Sequence, residues 1–181
     1  MEQPILNTER LELRPFKQAD AKRVAALAGD WRVAQMTINI PQPYEPGMAE
    51  SWIASLAPAF AQGEKVVYAV TLPEANELVG SVSLTDFSGE AGHLDFWIGV
   101  PYWGRGYCTE AVQSIVHYGF HQLGLSVIHA HYMRNNVASG RVLSKGGFEH
   151  KGEIMLNAHG MMRRLQQCER QRDPRSRAAT E

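Results

Sequence analysis

The stretch from Trp97 to Leu123, WIGVPYWGRGYCTEAVQSIVHYGFHQL, constrains the fold of this chain more than any other part of the sequence. The apolar segment that ends at Val100 predicts a β-strand. Pro101, Gly104 and Gly106 then predict a tight connection. Because a helix pattern follows directly, the sequence predicts a strand, a glycine turn and a helix in succession.

The helix after the turn is predicted to begin near Tyr107 to Thr109 and to bury one face. Its apolar residues recur at the i, i+3, i+4 and i+7 positions that share one side of a helix. They are Val112, Ile115, Val116, Gly119, Phe120 and Leu123, and the polar residues between them are Glu110, Gln113, His117 and His121.

A glycine turn that leads into a helix presents unpaired backbone N–H groups at the positive end of the helix dipole. Such a turn binds phosphate, and Gly104 and Gly106 allow a ligand to approach the backbone without a Cβ in the way. The spacing is not that of a Walker motif, and a G-x-G-x-x-G motif needs glycine where Thr109 stands. The motif alone leaves two interpretations open, anion binding and a purely structural turn.

The composition indicates one globular domain of ordinary size. The chain has 181 residues, of which 44% are apolar and 20% charged, with a net charge of −1. This balance creates no overall attraction to nucleic acid or to an anionic membrane. No apolar run approaches the ~20 residues that span a bilayer, Cys108 and Cys168 suggest no disulfide framework, and MEQPILNTER lacks the layout of a signal peptide. We expect a cytoplasmic protein.

The whole chain predicts an α/β sheet with mixed strand directions. A strand at RLELRPF precedes a helix capped by Asp20, a short helix WRVAQM, the proline-rich loop TINIPQPYEPG and a third helix. The hairpin VVYAVTL and LVGSVSLTDF, the strand HLDFWIGV, the long helix, the strand SVIHAHYM, a helix over residues 136–145 and a closing hairpin around residues 158–160 follow. Residues 1–167 are predicted to form the domain. Residues 168–181, which lack apolar periodicity, are predicted to form a disordered tail.

Four segments, TERLELRPF, NIPQPYEPGMAESWI, DFWIGVPYWGRGYCTEA and NNVASGRVLSKGGF, carry a resemblance to a known family. Their order and spacing over roughly residues 8–165 resemble the Gcn5-related N-acetyltransferase (GNAT) superfamily, and within it the RimJ/RimL-like ribosomal-protein N-terminal acetyltransferases. The resemblance implies a single GNAT domain with a central, strongly twisted mixed sheet flanked by helices. It also implies direct transfer of an acetyl group from acetyl-CoA to a primary amine, without a metal.

The resemblance also implies a cofactor site. The family's pyrophosphate loop falls on residues 103–108, where Trp103 replaces the usual Gln or Arg and Cys108 replaces Gly or Ala. The Asn-x-x-Ser element, which contacts the pantetheine arm and the sulfur end, falls on Asn136 and Ser139. The implied cofactor-binding residues are Ile98, Gly99, Val100, Trp103, Gly104, Arg105, Gly106, Tyr107, Cys108, Thr109, Asn136 and Ser139.

Two positions depart from the family pattern. The tyrosine that protonates the leaving thiolate in many relatives is Leu143 here, which leaves Ser139 as a candidate proton donor. The alternative roles for Ser139 are a plain hydrogen bond to the cofactor and helix capping. Where relatives often carry glutamate on the central strand, this chain has His93.

His93 and Asp95 share one face of their strand, because side chains alternate along a strand. A histidine oriented by a carboxylate is a candidate general base, directly or through water. The alternative is that both face solvent or merely satisfy each other. Backbone N–H groups around residues 98–100 are candidates to hold the carbonyl oxygen during acetyl transfer.

Other titratable groups favour structural roles. His117 and His121 have the i, i+4 spacing of two metal ligands but lack an accompanying Glu, so a solvated face is preferred. His129 and His131 are predicted to be ordinary sheet residues, although they share a face near the cleft. The arginine-rich C-terminus lacks interleaved aromatic residues, which disfavours a nucleic-acid contact. Cys108 at a helix N-terminus suggests a lowered thiol pKa.

The amine acceptor is predicted to be an α-amino group of a peptide or amino acid, bound by Met36, Tyr44 and Trp97. The acceptor side is expected to come from the proline-rich loop and the closing hairpin, in a monomer or a homodimer. A small-molecule acetyltransferase for an antibiotic or a polyamine, and a non-catalytic acyl-CoA-binding relative, are the alternatives. A dinucleotide-dependent oxidoreductase is disfavoured, because such a protein has an acidic residue ~20 residues after its glycine-rich turn. This chain has none between Gln122 and Arg134.

Overall fold

The predicted strand is an inner strand of a mixed sheet, and the predicted glycine turn and helix follow it in the chain. The computed structural model describes residues 2–158 and 160–174. Its strands are β1 (Leu6–Asn7), β2 (Glu12–Arg14), β3 (Val66–Leu72), β4 (Glu77–Ser88), β5 (Ala91–Ile98), β6 (Val127–Met133), β7 (Glu149–Ala158) and β8 (Met161–Gln171). Its helices are α1 (Ala21–Ala28), α2 (Trp31–Ala34), α3 (Met48–Ala61), α4 (Tyr107–His121) and α5 (Val137–Lys145), with 3₁₀ turns at Gln18–Asp20 and Val100–Tyr102.

Within the described residues the strands form one eight-stranded sheet in the order β1-β2-β3-β4-β5-β6-β8-β7. β5 and β6 are parallel, and the other neighbouring strands are antiparallel. The pairing of β5 with β6 extends only over Ala91–Leu94 and Val127–Ala130. Both strands continue beyond these residues, so a gap opens between them. The predicted α/β sheet with mixed strand directions is confirmed.

Different helices cover the two faces of the sheet. α4 shares the larger core cluster with Leu84 and Leu94. α1 and α3 share a second cluster with Ala69 and Leu78 of β3 and β4. Because side chains alternate along β5, Asp95 lies on the face opposite to Leu94, toward α1 and α3. None of the helices in the described ranges is long and apolar enough to cross a membrane.

The predicted disordered tail from residue 168 is wrong at its start. β8 continues to Gln171, and Cys168 is buried opposite Ala130 of β6 and His150 of β7. This segment forms a strand without apolar alternation, because backbone hydrogen bonds to the strands on both sides hold it in place. His159, in the predicted hairpin turn, and residues 175–181 of the predicted tail lie outside the described residues.

Asp20 does not cap α1 as predicted. Its carboxylate accepts the backbone N–H of Lys17 at 2.8 Å and forms a bidentate pair with Arg14, with distances of 2.8 and 2.9 Å. Arg14 is only 3% exposed. A buried guanidinium requires a charged partner, which explains why the tertiary contact replaces the local cap.

Candidate active site

The glycine turn before α4 presents a row of backbone donors. Gly104 and Gly106 have positive φ angles of 74° and 78°, and Gly106 is the N-cap residue of α4. The first backbone hydrogen bond of the helix runs from Glu110 N–H to Gly106 O at 3.1 Å. In the part of the chain that the structure describes, the N–H groups of residues 104–109 donate to no protein acceptor. These donors, at the positive end of the helix dipole, make the turn a candidate phosphate site.

Arg10 braces this turn from the N-terminal segment. Its Nη1 donates to Arg105 O at 2.9 Å, and its Nε donates to Glu110 Oε2 at 2.7 Å. Glu110 also accepts Thr8 Oγ1 at 2.6 Å, and the Arg10 guanidinium lies 5.0 Å from the Tyr107 ring centroid. Burial alone raises the pKa of Glu110, but the hydrogen bonds from Thr8 and Arg10 outweigh it, so the pKa lies below its usual value.

Trp103 and Cys108 have structural partners. The Trp103 indole N–H donates to Ile98 O at 2.6 Å, which ties the turn to the end of β5. Cys108 packs against the larger core cluster, and burial raises its thiol pKa to about 12. The lowered pKa suggested by the helix N-terminus is therefore wrong, because desolvation of the thiolate dominates.

The end of β5 offers fewer oxyanion donors than predicted. Gly99 N–H donates to Val79 O at 2.8 Å, so the prediction that it is available is wrong. Successive N–H groups of a strand point to opposite edges, so Ile98 N–H points away from β4, toward the gap beside β6. Val100 N–H donates to no protein acceptor among the described residues. Ile98 and Val100 remain the candidate donors.

The Asn-x-x-Ser element forms the start of α5. Asn136 Oδ1 accepts Ser139 N–H at 3.1 Å, and Asn136 Nδ2 donates to Met36 O at 3.2 Å. Asn136 therefore caps the helix and also holds the loop after α2. The Ser139 hydroxyl makes no hydrogen bond within the described residues. Leu143, at the family's tyrosine position, is fully buried and offers no proton.

A cavity of about 900 Å³ opens on the face of the sheet that carries α1 and α3. This volume is in the range of small-molecule sites. Its floor comes from β3, β4 and β5 and includes Val67, Ser81, Ser83, Thr85, Asp95 and Trp97. Its walls include α1, α3 and the proline-rich loop with Tyr44 and Glu45. Of the predicted acceptor residues, Tyr44 and Trp97 line this cavity and Met36 does not.

His93 and Asp95 come together beside this cavity, and a second histidine joins them. His93 Nδ1 lies 3.4 Å from Asp95 Oδ2, and His93 Nε2 lies 3.0 Å from His131 Nδ1. Burial alone lowers the pKa of His93, but the hydrogen bond and charge of Asp95 outweigh it and raise the pKa above its usual value. Burial and the adjacent His93 lower the pKa of His131 to about 4.

A group of basic residue types, two histidines with Lys145 and Arg170, lies where two helices end. The rings of His117 and His121 have centroids 4.2 Å apart and are tilted by 37°, beside a recess that Lys145 and Arg170 also line. Arg170 donates to Gly146 O at 2.5 Å. Helix C-termini favour cations, so the ends of α4 and α5 account for this cluster. Within the described ranges, no group of three His, Cys, Asp or Glu side chains is arranged to hold a metal.

Sequence reasoning missed several residues of the site. Arg10 carries no local signal, because its partner Glu110 lies a hundred residues away. Ser83 and Thr85 lie within a β-strand pattern that gives no sign of a functional role. Their register places them opposite Asp95 and His93. The sequence predicts an ordinary sheet role for His131. The alternation of histidines in SVIHAHYM was its one available signal.

Comparison with known proteins identifies the family. A profile of the acetyltransferase (GNAT) domain matches residues 10–149. The Bacillus subtilis (strain 168) protein named Probable N-acetyltransferase YjcK is 33% identical over 159 residues, which cover 84% of this chain and 88% of that protein. The Escherichia coli (strain K12) ribosomal protein uS5-alanine N-acetyltransferase is 28% identical over 159 residues, which cover 81% of this chain and 79% of that protein. Mycobacterium smegmatis RimJ, solved with a CoA-disulfide, superposes with a TM-score of 0.78 at 20% identity over 89% of this chain and 81% of that chain.

The glycine turn fits the diphosphate of CoA. A Cβ added at Gly104 meets no atom within 4 Å, so the space over the turn is open, and the donors of residues 104–109 face it unpaired. The predicted fold and the predicted use of acetyl-CoA are confirmed. Because the domain match spans most of its length, the chain belongs to the GNAT family of acetyltransferases, and its reaction is the acetyl-CoA-dependent acetylation of an amine.

Proposed function

We propose that the acceptor is an α-amino group, carried by the N-terminus of a protein or peptide or by a free amino acid. The observation that carries the proposal is the polar cavity floor, where the Asp95 carboxylate faces the cavity and lies beside His93. A carboxylate attracts the cationic ammonium form, and an imidazole next to it is a base suited to neutral pH.

An α-amine suits these residues better than a lysine side chain. An α-amine has a pKa of ~7.7–8.0 and lysine ~10.4, so at pH 7 roughly a tenth of an α-amine is already neutral and well under a thousandth of a lysine. The nearest base to the floor is the His93 imidazole beside Asp95, and the buried Leu143 replaces the family's tyrosine acid. An amine that loses its proton easily requires less from such a site. The uS5-alanine N-acetyltransferase among the relatives also supports this choice.

Each part of the site has a role in this proposal. The N–H groups of residues 104–109 hold the CoA diphosphate, and those of Ile98 and Val100 hold the acetyl carbonyl oxygen. The bound cofactor supplies an activated acetyl thioester. Asp95 attracts the ammonium, the amine proton passes to His93 directly or through a neighbouring group, and the Ser139 hydroxyl donates a hydrogen bond to the leaving sulfur.

The acceptor itself lies against the walls of the cavity. Tyr44 and Trp97 contact it, and Asn136 fixes the loop around Met36 at its edge. Loops of this kind determine specificity on a fixed scaffold. The cytoplasmic location and the oligomeric state remain predictions.

Acetyl transfer to two short peptides tests the proposal. One peptide has a free N-terminus and no lysine, and the other has a blocked N-terminus and one lysine, with CoA release as the readout. We expect the free N-terminus to be preferred, and Tyr44→Ala to change amine preference while acetyl-CoA affinity stays the same. A preference for the blocked lysine peptide overturns the assignment. If neither peptide is acetylated, the proposed acceptor is wrong and a small-molecule amine, such as a polyamine or an aminoglycoside, becomes the candidate.

A further inference from the structure

Both ring nitrogens of His93 are already engaged. Nδ1 faces Asp95 Oδ2 at 3.4 Å, and Nε2 faces His131 Nδ1 at 3.0 Å. A general base takes a proton at a nitrogen with a free lone pair, so His93 is poorly placed to take one directly from the acceptor. The open nitrogen of the pair is His131 Nε2, which makes no hydrogen bond within the described residues.

His131 also stands where the two central strands separate. The last paired residues are Leu94 of β5 and Ala130 of β6, so His131 is the first residue of β6 beyond the pairing. His129 is paired with His93 in register, and alternation places His131 on the same face. The imidazole therefore lies at the mouth of the gap toward which Ile98 N–H points, on the side of the sheet that carries the acceptor cavity.

We propose that His131 is the catalytic residue that takes the proton from the acceptor amine, with His93 and Asp95 as a relay behind it. The inference rests on the proposed function for the kind of amine. An N–H bond of the ammonium breaks and its proton binds His131 Nε2, while the electron pair stays on the amine nitrogen, which becomes the nucleophile. The proton on His131 Nδ1 passes to His93 Nε2. The positive charge then lies on His93, whose Nδ1–H faces Asp95, and the proton returns to solvent after turnover.

The charges around the two rings favour this direction of transfer. The groups that face the pair from the neighbouring strands are Thr85 and Asp86 of β4, Asp95 of β5, His129 of β6 and Gln167 of β8. Glu169 of β8 lies behind His129, 3.7 Å from its Nδ1. The carboxylates of Asp95 and Asp86 raise the pKa of His93 against the effect of burial. Burial and the two other histidines lower the pKa of His131. A proton that arrives at His131 is therefore more stable on His93.

Replacement of His131 by glutamine tests the relay. A glutamine amide keeps a hydrogen bond to His93 Nε2 but takes no proton, and His129→Gln on the same strand and face is the matched control. With the lysine-free peptide as acceptor, we expect His131→Gln to lower kcat/KM about a hundredfold at pH 7 and much less at pH 9, where the amine deprotonates unaided. Acetyl-CoA affinity measured by calorimetry stays unchanged. A wild-type pH–rate profile in His131→Gln overturns the proposal.

A second measurement separates this proposal from the choice of acceptor. In ¹⁵N-histidine NMR spectra between pH 4 and 9, we expect His93 and His131 to titrate as a coupled pair. His131→Gln then changes the titration of His93, and His129→Gln changes it far less. If the wild-type protein acetylates neither peptide, the proposed acceptor fails while this coupling still supports the relay. An unchanged His93 titration in His131→Gln overturns the relay whichever amine is acetylated.

Discussion

Arg10 and Glu110 lie 100 residues apart in the chain and meet through two contacts, each of 2.7 Å, from Arg10 Nε and Nη2 to Glu110 Oε2. The same guanidinium donates to the carbonyl of Arg105. The pair therefore joins the N-terminal segment to the glycine turn before α4, and the shape of that turn depends on a residue far away in the sequence.

Removal of this brace is expected to weaken cofactor binding. Arg10→Ala frees the turn, so we expect acetyl-CoA affinity to fall about threefold to tenfold by calorimetry. Arg10 is 46% exposed, so the free energy of unfolding falls by only about 1 kcal/mol. The control is Glu9→Ala, an exposed neighbour. Unchanged affinity in Arg10→Ala contradicts a positioning role.

The left-handed backbone of the turn gives a second prediction. At Gly106, φ is +78° and an added Cβ lies 3.2 Å from Arg10 Nη2. We expect Gly106→Ala to weaken acetyl-CoA binding more than tenfold, about 1.4 kcal/mol. Gly124→Ala is the matched control, because Gly124 has φ of +72° and an added Cβ there meets no atom within 4 Å. If both variants lose acetyl-CoA affinity to the same extent, backbone strain in general, and not the position of Gly106 in the turn, causes the loss.

The two functions of Asn136 can be separated by mutation. Asn136→Asp keeps the acceptor that caps α5 but loses the donor to Met36 O, whereas Asn136→Ala loses both. We expect Asn136→Ala to cost about 1 kcal/mol in urea unfolding and Asn136→Asp less. Both variants are expected to change the KM for the acceptor peptide, because both release the loop at the cavity edge. A wild-type acceptor KM in Asn136→Asp contradicts the tether.

Ser139 is expected to act on turnover and not on folding. Its backbone N–H, not its hydroxyl, takes part in the cap of α5. Ser139→Ala therefore leaves the unfolding curve unchanged but lowers kcat, since the leaving sulfur loses a hydrogen-bond donor. Steady-state rates from pH 6 to 9 test this, with Ser144→Ala at the far end of α5 as the control. Wild-type kcat across this range removes the catalytic role.

The buried pair of Arg14 and Asp20 predicts how stability depends on pH. Burial alone raises the pKa of Asp20, but the hydrogen bonds and charge of Arg14, with Lys17, lower it below the ordinary value of 3.8. The unfolded chain therefore takes up this proton first as pH falls. The stabilisation is complete well above pH 3.8 and is lost as pH falls through the folded-state pKa.

Asp20→Asn tests this dependence. It leaves the Arg14 guanidinium buried without its carboxylate, at a cost of about 3 kcal/mol at pH 7. In urea titrations, the difference in the free energy of unfolding between Asp20→Asn and the wild-type protein becomes smaller below pH 4. The exposed Glu74→Gln is the control. A difference that stays constant down to pH 3 contradicts the lowered pKa.

The sequence by itself determined the local elements and the position of the glycine turn before α4. Periodicity located α4, because the buried face of a helix repeats along a continuous segment. Gly104 and Gly106 marked the turn, because backbone conformation at positive φ depends on the residue itself. The shared face of His93 and Asp95 followed from alternation along one strand. Each of these inferences needs only residues that are close in sequence.

The tertiary structure alone decided which distant residues meet. Three features depend on pairings between segments far apart in the chain. They are the strand conformation of residues 168–171 in β8, the bracing of the turn by Arg10 and the contact of His93 with His131. The thiol pKa of Cys108 is raised, whereas the helix N-terminus predicts a lowered value, because burial outweighs the local helix dipole. The pattern within one segment does not identify the distant segment that will pair with it or the extent to which water will be excluded, since both are decided only when the sheet assembles.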